Sequence, residues 1–232
     1  MALTEALEKV LRDAGAALVG FGDMQGVENC SYPVGVSVAI PIPIPIIEGI
    51  TEGPTKEYSD TYYAMNAKLN EIITQGANFL KEQGYQAFAQ TTDVVKEDSN
   101  WRTKIPHKTV ATRAGLGWIG KSCLLITPQF GGAVRISSLL TDAPLQLHEP
   151  INHSKCGNCQ ICKEACPAQA LKGVLWHLGM KREELFEKEP CKKKAKELMK
   201  ARAGFEQDIC GKCFVVCPYT QKYLKKKSAL SE

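Results

Sequence analysis

The chain has 232 residues, 44% of them hydrophobic, and a formal net charge of +4. That length allows one large domain or two small ones, and the composition is that of a folded protein rather than a disordered or fibrous one. No apolar run reaches the length of a membrane span, because the longest, Val34 to Ile47, is broken by Pro41, Pro43 and Pro45.

The elements follow in order. Residues 3–14 predict an amphipathic helix, with Leu7, Val10 and Leu11 on one face and Gly15 as its stop. Ala17 to Phe21 and Val34 to Ile40 read as strands, the second buried. Proline donates no ladder hydrogen bond, so the Ile-Pro alternation from Ile40 to Ile46 is expected as extended chain outside a sheet. Tyr62, Met65, Leu69, Ile72, Ile73, Gly76, Phe79 and Leu80 recur at helical spacing up to Gly84, as a core stripe. Tyr85 to Thr91 predicts a strand, Asp93 to Lys104 a polar loop and Thr109 to Ala114 a short helix. Leu124 to Thr127 and Ala133 to Thr141 predict two more strands, and His148 to Lys155 a linker. Alternating helices and strands place residues 1–147 in an α/β domain within an α+β chain.

The last third carries the chemistry. Cys156-x2-Cys159-x2-Cys162-x3-Cys166-Pro167 has the spacing of bacterial two-cluster ferredoxins, in which the fourth cysteine serves the other cluster. Cys191 and Cys210-x2-Cys213-x3-Cys217-Pro218 complete the count. Cys156, Cys159, Cys162 and Cys217 are assigned to one 4Fe-4S cluster, and Cys166, Cys191, Cys210 and Cys213 to the second. Residues 148–232 thus form a ferredoxin-like double-cluster domain, and the chain is a redox protein. Zinc is the rival reading, but zinc modules use separated pairs rather than three ligands at two-residue gaps followed by Cys-Pro. Disulfides do not fit a chain that shows no signal peptide or twin-arginine leader and is expected in the cytoplasm. Cys30 and Cys123 are expected as buried small hydrophobes.

Gly115-Leu116-Gly117-Trp118-Ile119-Gly120-Lys121-Ser122 fits both GxGxxG and GxxxxGK[ST]. Both motifs need a strand before and a helix after the loop. Here a helix is expected before and a β-prone segment after. A tight turn that lets backbone approach a cofactor is the better reading. Lys192, Lys193, Lys194, Lys196 and Lys200 follow Cys191, and Lys222 and Lys225 to Lys227 follow the last cysteine. They form either a solvated helix face or a docking patch, for an acidic electron donor such as flavodoxin or ferredoxin or for a nucleic-acid partner. Neither a membrane nor DNA is expected as a partner.

Arg113 to Lys121, then Leu124-Leu125-Ile126 and Leu139-Leu140-Thr141-Asp142 with Pro144, followed by the cysteines, resemble the epoxyqueuosine reductase family, a relative of reductive dehalogenases. The resemblance implies a nitroreductase-like N-terminal domain, with cobalamin held between it and the cluster domain without a lower histidine ligand. It implies that Arg113, Gly115, Leu116, Gly117, Trp118, Ile119, Gly120 and Lys121 approach the corrin and the first cluster. It implies electron flow from the cluster of Cys166, Cys191, Cys210 and Cys213 to that of Cys156, Cys159, Cys162 and Cys217, then to cobalt. Two departures stand out. The family's aspartate, the proton donor ahead of the glycine loop, is absent from Trp101 to Ile105. His107 and Asp98 become the candidate acids, with Tyr58, Tyr62 and Tyr63 behind them. The family's helical-repeat extension is also absent from the 232 residues. Both departures argue against tRNA as substrate and for a small or nucleoside-type one. The alternatives are an electron-transfer or activator protein without its own substrate and a nucleotide-dependent reductase using Lys121.

Overall fold

The computed structural model describes residues 2–228, the side chains of 227 and 228 excepted, so Lys227 of the lysine run falls outside the described side chains. The elements are α1 (Leu3–Asp13), β1 (Leu18–Asp23), β2 (Val34–Pro41), α2 (Ile44–Gly49), α3 (Lys56–Glu82), β3 (Ala87–Ala89) and α4 (His107–Arg113). They continue with β4 (Trp118–Ile119), β5 (Leu125–Ile126), β6 (Val134–Thr141), α5 (Ile161–Glu164), α6 (Arg182–Leu185), α7 (Lys188–Ala203), α8 (Lys212–Val215) and α9 (Pro218–Ser228). Helices and sheet are mixed, as expected for an α+β chain. No helix among the described residues is long and apolar enough to cross a membrane.

Two compact units form, each from three stretches of chain. One comprises residues 1–40, 65–117 and 135–151, and the other 41–64, 118–134 and 152–232. The first is built on a four-stranded sheet in the order β1-β2-β6-β3. β1 and β2 pair antiparallel, Leu18 opposite Ala39 and Asp23 opposite Val34, and β3 pairs antiparallel with β6. β2 is buried from Val34 through Ile40, as the β-branched run from an interior strand requires. α1 buries Leu7 and Leu11 completely, and the α3 stripe buries Leu69, Ile72, Ile73 and Leu80. Gly76 is required where α3 meets its neighbours, since a Cβ there would lie 2.6 Å from Leu11 Cδ2 and 3.0 Å from Leu139 Cδ2.

Three local expectations are corrected. The Ile-Pro tract is extended only to Pro43, and α2 begins at Ile44. Pro45 falls in the first turn, where the missing N–H has no helical acceptor to lose, so its fixed φ favours the helix. The strand expected over 85–91 is only Ala87–Ala89, paired with Thr141 to Leu139. Residues 148–151, expected as linker, bond back into the first unit: His148 N donates to Phe21 O at 2.8 Å and Ile151 N to Thr112 O at 2.9 Å.

In the second unit, β4 and β5 form a two-stranded hairpin, Trp118 opposite Ile126 and Ile119 opposite Leu125. The loop after it is fastened to α9. Gly132 N donates to Thr220 Oγ1 at 3.0 Å, and Thr220 is fully buried. Gly131, at φ +61°, brings its backbone so close that a Cβ would sit 2.2 Å from Thr220 N. Trp118 stacks edge-on against Tyr219 at 4.9 Å between centroids, and Phe130 against Tyr223 at 5.1 Å. These contacts hold the 118–134 segment against the part of the chain that carries the cysteines.

Candidate iron–sulfur site

The cysteines sit on very short helices and the turns around them. α5 carries Cys162, α7 Cys191 and α8 Cys213. Gly211, at φ +83°, turns the chain between Cys210 and Cys213. Cys217 is followed by Pro218, the first residue of α9, where a proline suits the first turn. A cavity of about 380 Å³ is lined by Cys156, Cys159, Cys162, Cys213 and Cys217, together with Gly120, Lys121 and Ser122.

The thiols influence one another. Burial pushes Cys162 up to about 11, with Cys156, Cys217 and Cys159 adding to it. Burial also raises Cys217, whose charged neighbours are Cys156 and Cys159. Burial raises Cys191 beside Cys166 and Cys210, and raises Cys210 beside Cys166. Cys213 is raised well above its usual range by burial, then by Cys210, Cys191, Cys162 and Cys166. Cys213 thus feels thiols of both expected quartets, and it lines the cavity with Cys156, Cys159, Cys162 and Cys217.

The raised thiols, Cys162, Cys191, Cys210, Cys213 and Cys217, resist deprotonation. An iron core reverses this, because metal ligation displaces the thiol protons and supplies the positive charge. The donor set therefore fits two 4Fe-4S clusters. Zinc needs four sulfurs within about 2.3 Å of one point. Among the described residues no three His, Cys, Asp or Glu side chains converge on a single-ion site. The roomy cysteine cavity suits a polynuclear core. Cys123 is buried, as expected of a small hydrophobe, while Cys30 is only half-buried, its thiol donating to Tyr32 O at 3.3 Å.

The glycine loop has the context expected of it: α4 precedes it, β4 lies within it and β5 follows, so no helix presents its N-terminus to a phosphate. Its glycines are packed closely against neighbours. A Cβ on Gly115, at φ +70°, would lie 2.8 Å from Glu149 O, and one on Gly120 would lie 2.6 Å from Ile126 Cγ1. Leu116, Trp118 and Ile119 are buried in the protein itself. Of the eight residues assigned to the corrin, Gly120 and Lys121 line the cysteine cavity.

The candidate acids are placed differently from each other. Asp98 is exposed and caps its own turn, accepting from Asn100 N at 2.7 Å and Arg102 N at 3.0 Å. His107 opens α4 with Nδ1 2.8 Å from Ser138 Oγ. Gln90 Nε2 donates to the same hydroxyl at 2.7 Å, and both Gln90 and Ser138 are buried. Burial, then the Arg135 charge, lowers His107 to about 4, so it is neutral at physiological pH and donates only as an imidazole N–H. Arg135 in turn bonds Asn66 Oδ1 at 2.6 Å. Sequence reasoning missed Gln90, Ser138, Arg135 and Asn66, since no local pattern joins them. Tyr58 packs edge-on against Phe214 at 6.1 Å, and Tyr63 is exposed. Asp142 accepts from Gln86 N at 2.8 Å.

The residues 155–220 match the family of 4Fe-4S double cluster binding domains. The protein is thus one with two iron–sulfur clusters on a mixed helix-and-sheet fold. Beyond that class, the chain is related to the epoxyqueuosine reductases. It is 35% identical to that of Listeria monocytogenes over 120 residues, covering 48% of this chain and 29% of the relative. The chain spans less than half the length of the curated relatives it matches. In fold it resembles an epoxyqueuosine reductase solved with an epoxyqueuosine-modified tRNA stem loop, at TM-score 0.61 and 19% identity, covering 94% of this chain and 65% of that one. It also resembles a reductive dehalogenase described in terms of B12-dependent dehalogenation, at TM-score 0.70 and 20% identity, covering 98% and 33%. The expectation against tRNA gains no support, because a protein of this fold is solved with tRNA.

Proposed function

We propose that the chain is an iron–sulfur oxidoreductase in which two 4Fe-4S clusters relay electrons from an external donor to a bound cobalamin, for reduction of a small or nucleoside-type substrate. On this reading residues 1–147 are the nitroreductase-like part and 148–232 the cluster part. The observation that carries it is the gathering of eight buried or half-buried cysteines within and beside the matched double-cluster domain, five of them lining one cavity. Cobalamin is supported by the likeness in fold to the reductive dehalogenase. A nucleoside in tRNA is supported by the likeness to the epoxyqueuosine reductases.

Within this reading the residues divide the work. Cys156, Cys159, Cys162 and Cys217 hold one cluster, and Cys166, Cys191, Cys210 and Cys213 the other. Burial of Cys166 and Cys217 keeps water from the sulfurs, which governs potential as well as stability. The network of His107, Ser138 and Gln90 supplies a neutral donor at a fixed position. Lysines of α7 are engaged locally, Lys194 with Glu197 at 2.7 Å and Lys196 with Glu206 at 3.5 Å. A solvated face accounts for these two.

Anaerobic reconstitution with iron, sulfide and cobalamin, then gel filtration and EPR, tests the proposal. About eight irons and one corrinoid per chain, with a Co(II) signal lacking nitrogen coupling, are expected. Full iron without retained corrinoid leaves the electron-carrier reading in its place.

A further inference from the structure

Lys121 matched a phosphate-binding motif, yet no phosphate site exists around it. Its surroundings are unusual for a lysine. It is 4% exposed. Among the described residues it makes no hydrogen bond and no ion pair. It lines the cavity that Cys156, Cys159, Cys162 and Cys217 share. A lysine side chain this enclosed is found paired or beside a metal centre, because desolvating its charge without an anion is costly. The anion that this cavity is built to receive is the cluster. A 4Fe-4S core on four thiolates is a net anion and gains a further negative charge on reduction.

We infer that Lys121 is the buried counter-cation of the cluster held by Cys156, Cys159, Cys162 and Cys217, and that it raises the potential of this cluster relative to its twin. This rests on the two-cluster reading above. A fixed positive charge stabilises the reduced core more than the oxidised one, because the reduced core is more negative. The effect is strong at a buried position, where water screens little. Lys155 and Lys222 line the same cavity but are exposed, so salt weakens their contribution. Around the second quartet Lys188 and Asp208 act on Cys191 in opposite directions, and the half-buried Lys212 acts on Cys210 in the direction of Lys188. The inequality drives an electron from the second quartet's cluster toward the first. It makes Lys121 a positioning residue for charge, touching no substrate.

The test is an EPR-monitored redox titration of the reconstituted full chain, wild type against Lys121→Met and Lys121→Arg. Lys121→Met should lower one of the two midpoint potentials by roughly tenfold in the reduction equilibrium, about 59 mV for one electron, and leave the other in place. Lys121→Arg, which keeps the charge, should stay near wild type. The double variant Lys155→Met/Lys222→Met should give a smaller shift that vanishes in high salt. Two unchanged potentials in an iron-replete Lys121→Met protein would overturn the inference, as would equal shifts in the Met and Arg variants. If Lys121→Met fails to assemble one cluster while Lys121→Arg assembles both, the need for charge is established. If neither assembles it, the role is packing and the inference fails. A wild-type chain that takes up no iron defeats the two-cluster reading itself, a separate result.

Discussion

The sheet unit and the cysteine unit are stabilised by different means. The first buries Leu7, Leu11, Phe21, Val36, Val38, Ile72, Ile73 and Leu139 completely, on a sheet whose registers are set by strand pairing. The second contains three four-residue helices, α5, α6 and α8, and gathers its cysteines where a core would otherwise be. Apolar burial alone can hold the first together. In the second, cluster binding is part of folding, as for small metal-bound domains generally.

Removing iron should therefore separate the two units most sharply. Chelation of the reduced, reconstituted protein should abolish amide protection across 152–220 while strands β1, β2 and β6 stay protected, as hydrogen exchange would read. Equal loss in both would show that the sheet unit also depends on the clusters. A smaller effect is expected from Gly131→Ala. The new Cβ would meet the Thr220 backbone at 2.2 Å with φ at +61°. Overpacking and a left-handed alanine together cost roughly 2–4 kcal/mol, seen as a lower unfolding midpoint and as iron loss from the quartet lined by Lys121. The same substitution at Gly26, also left-handed but with open space around it, should cost only the backbone part.

The smallest effect concerns the sheet unit alone. His107 is lowered to about 4 when folded, against 6.5 as its ordinary value. Between those values the unfolded chain binds a proton that the folded chain does not. Stability is then fully present above pH 6.5 and falls as pH drops toward 4. Moving from roughly pH 7.5 to roughly 5.5 should cost wild type about 1 kcal/mol more than His107→Gln. Urea midpoints at the two pH values check this, and parallel profiles would remove His107 from the buried network.

Much of the molecule was legible from local pattern. The α1 face, the α3 stripe, strand β2 and the double-cluster domain all lie where spacing put them. These features depend on the period of a helix or strand, or on how few residues separate two ligands, and the chain fixes those by itself. The Ile-Pro tract misled because proline reads as a breaker until its position within a first turn is known. The His107 network was invisible because Gln90, His107 and Ser138 are brought together only by packing α4 on the sheet side of β6.

The sequence alone determined that the chain carries a double-cluster domain, because ligand spacing is a property of the chain. Only the tertiary structure decided what the glycine loop is for. As a string, residues 115–122 are a phosphate motif. Docked through Gly131, Gly132 and Thr220, they bring Lys121 to the cysteine cavity. A charge acquires meaning from what surrounds it in space, and no local pattern carries that information.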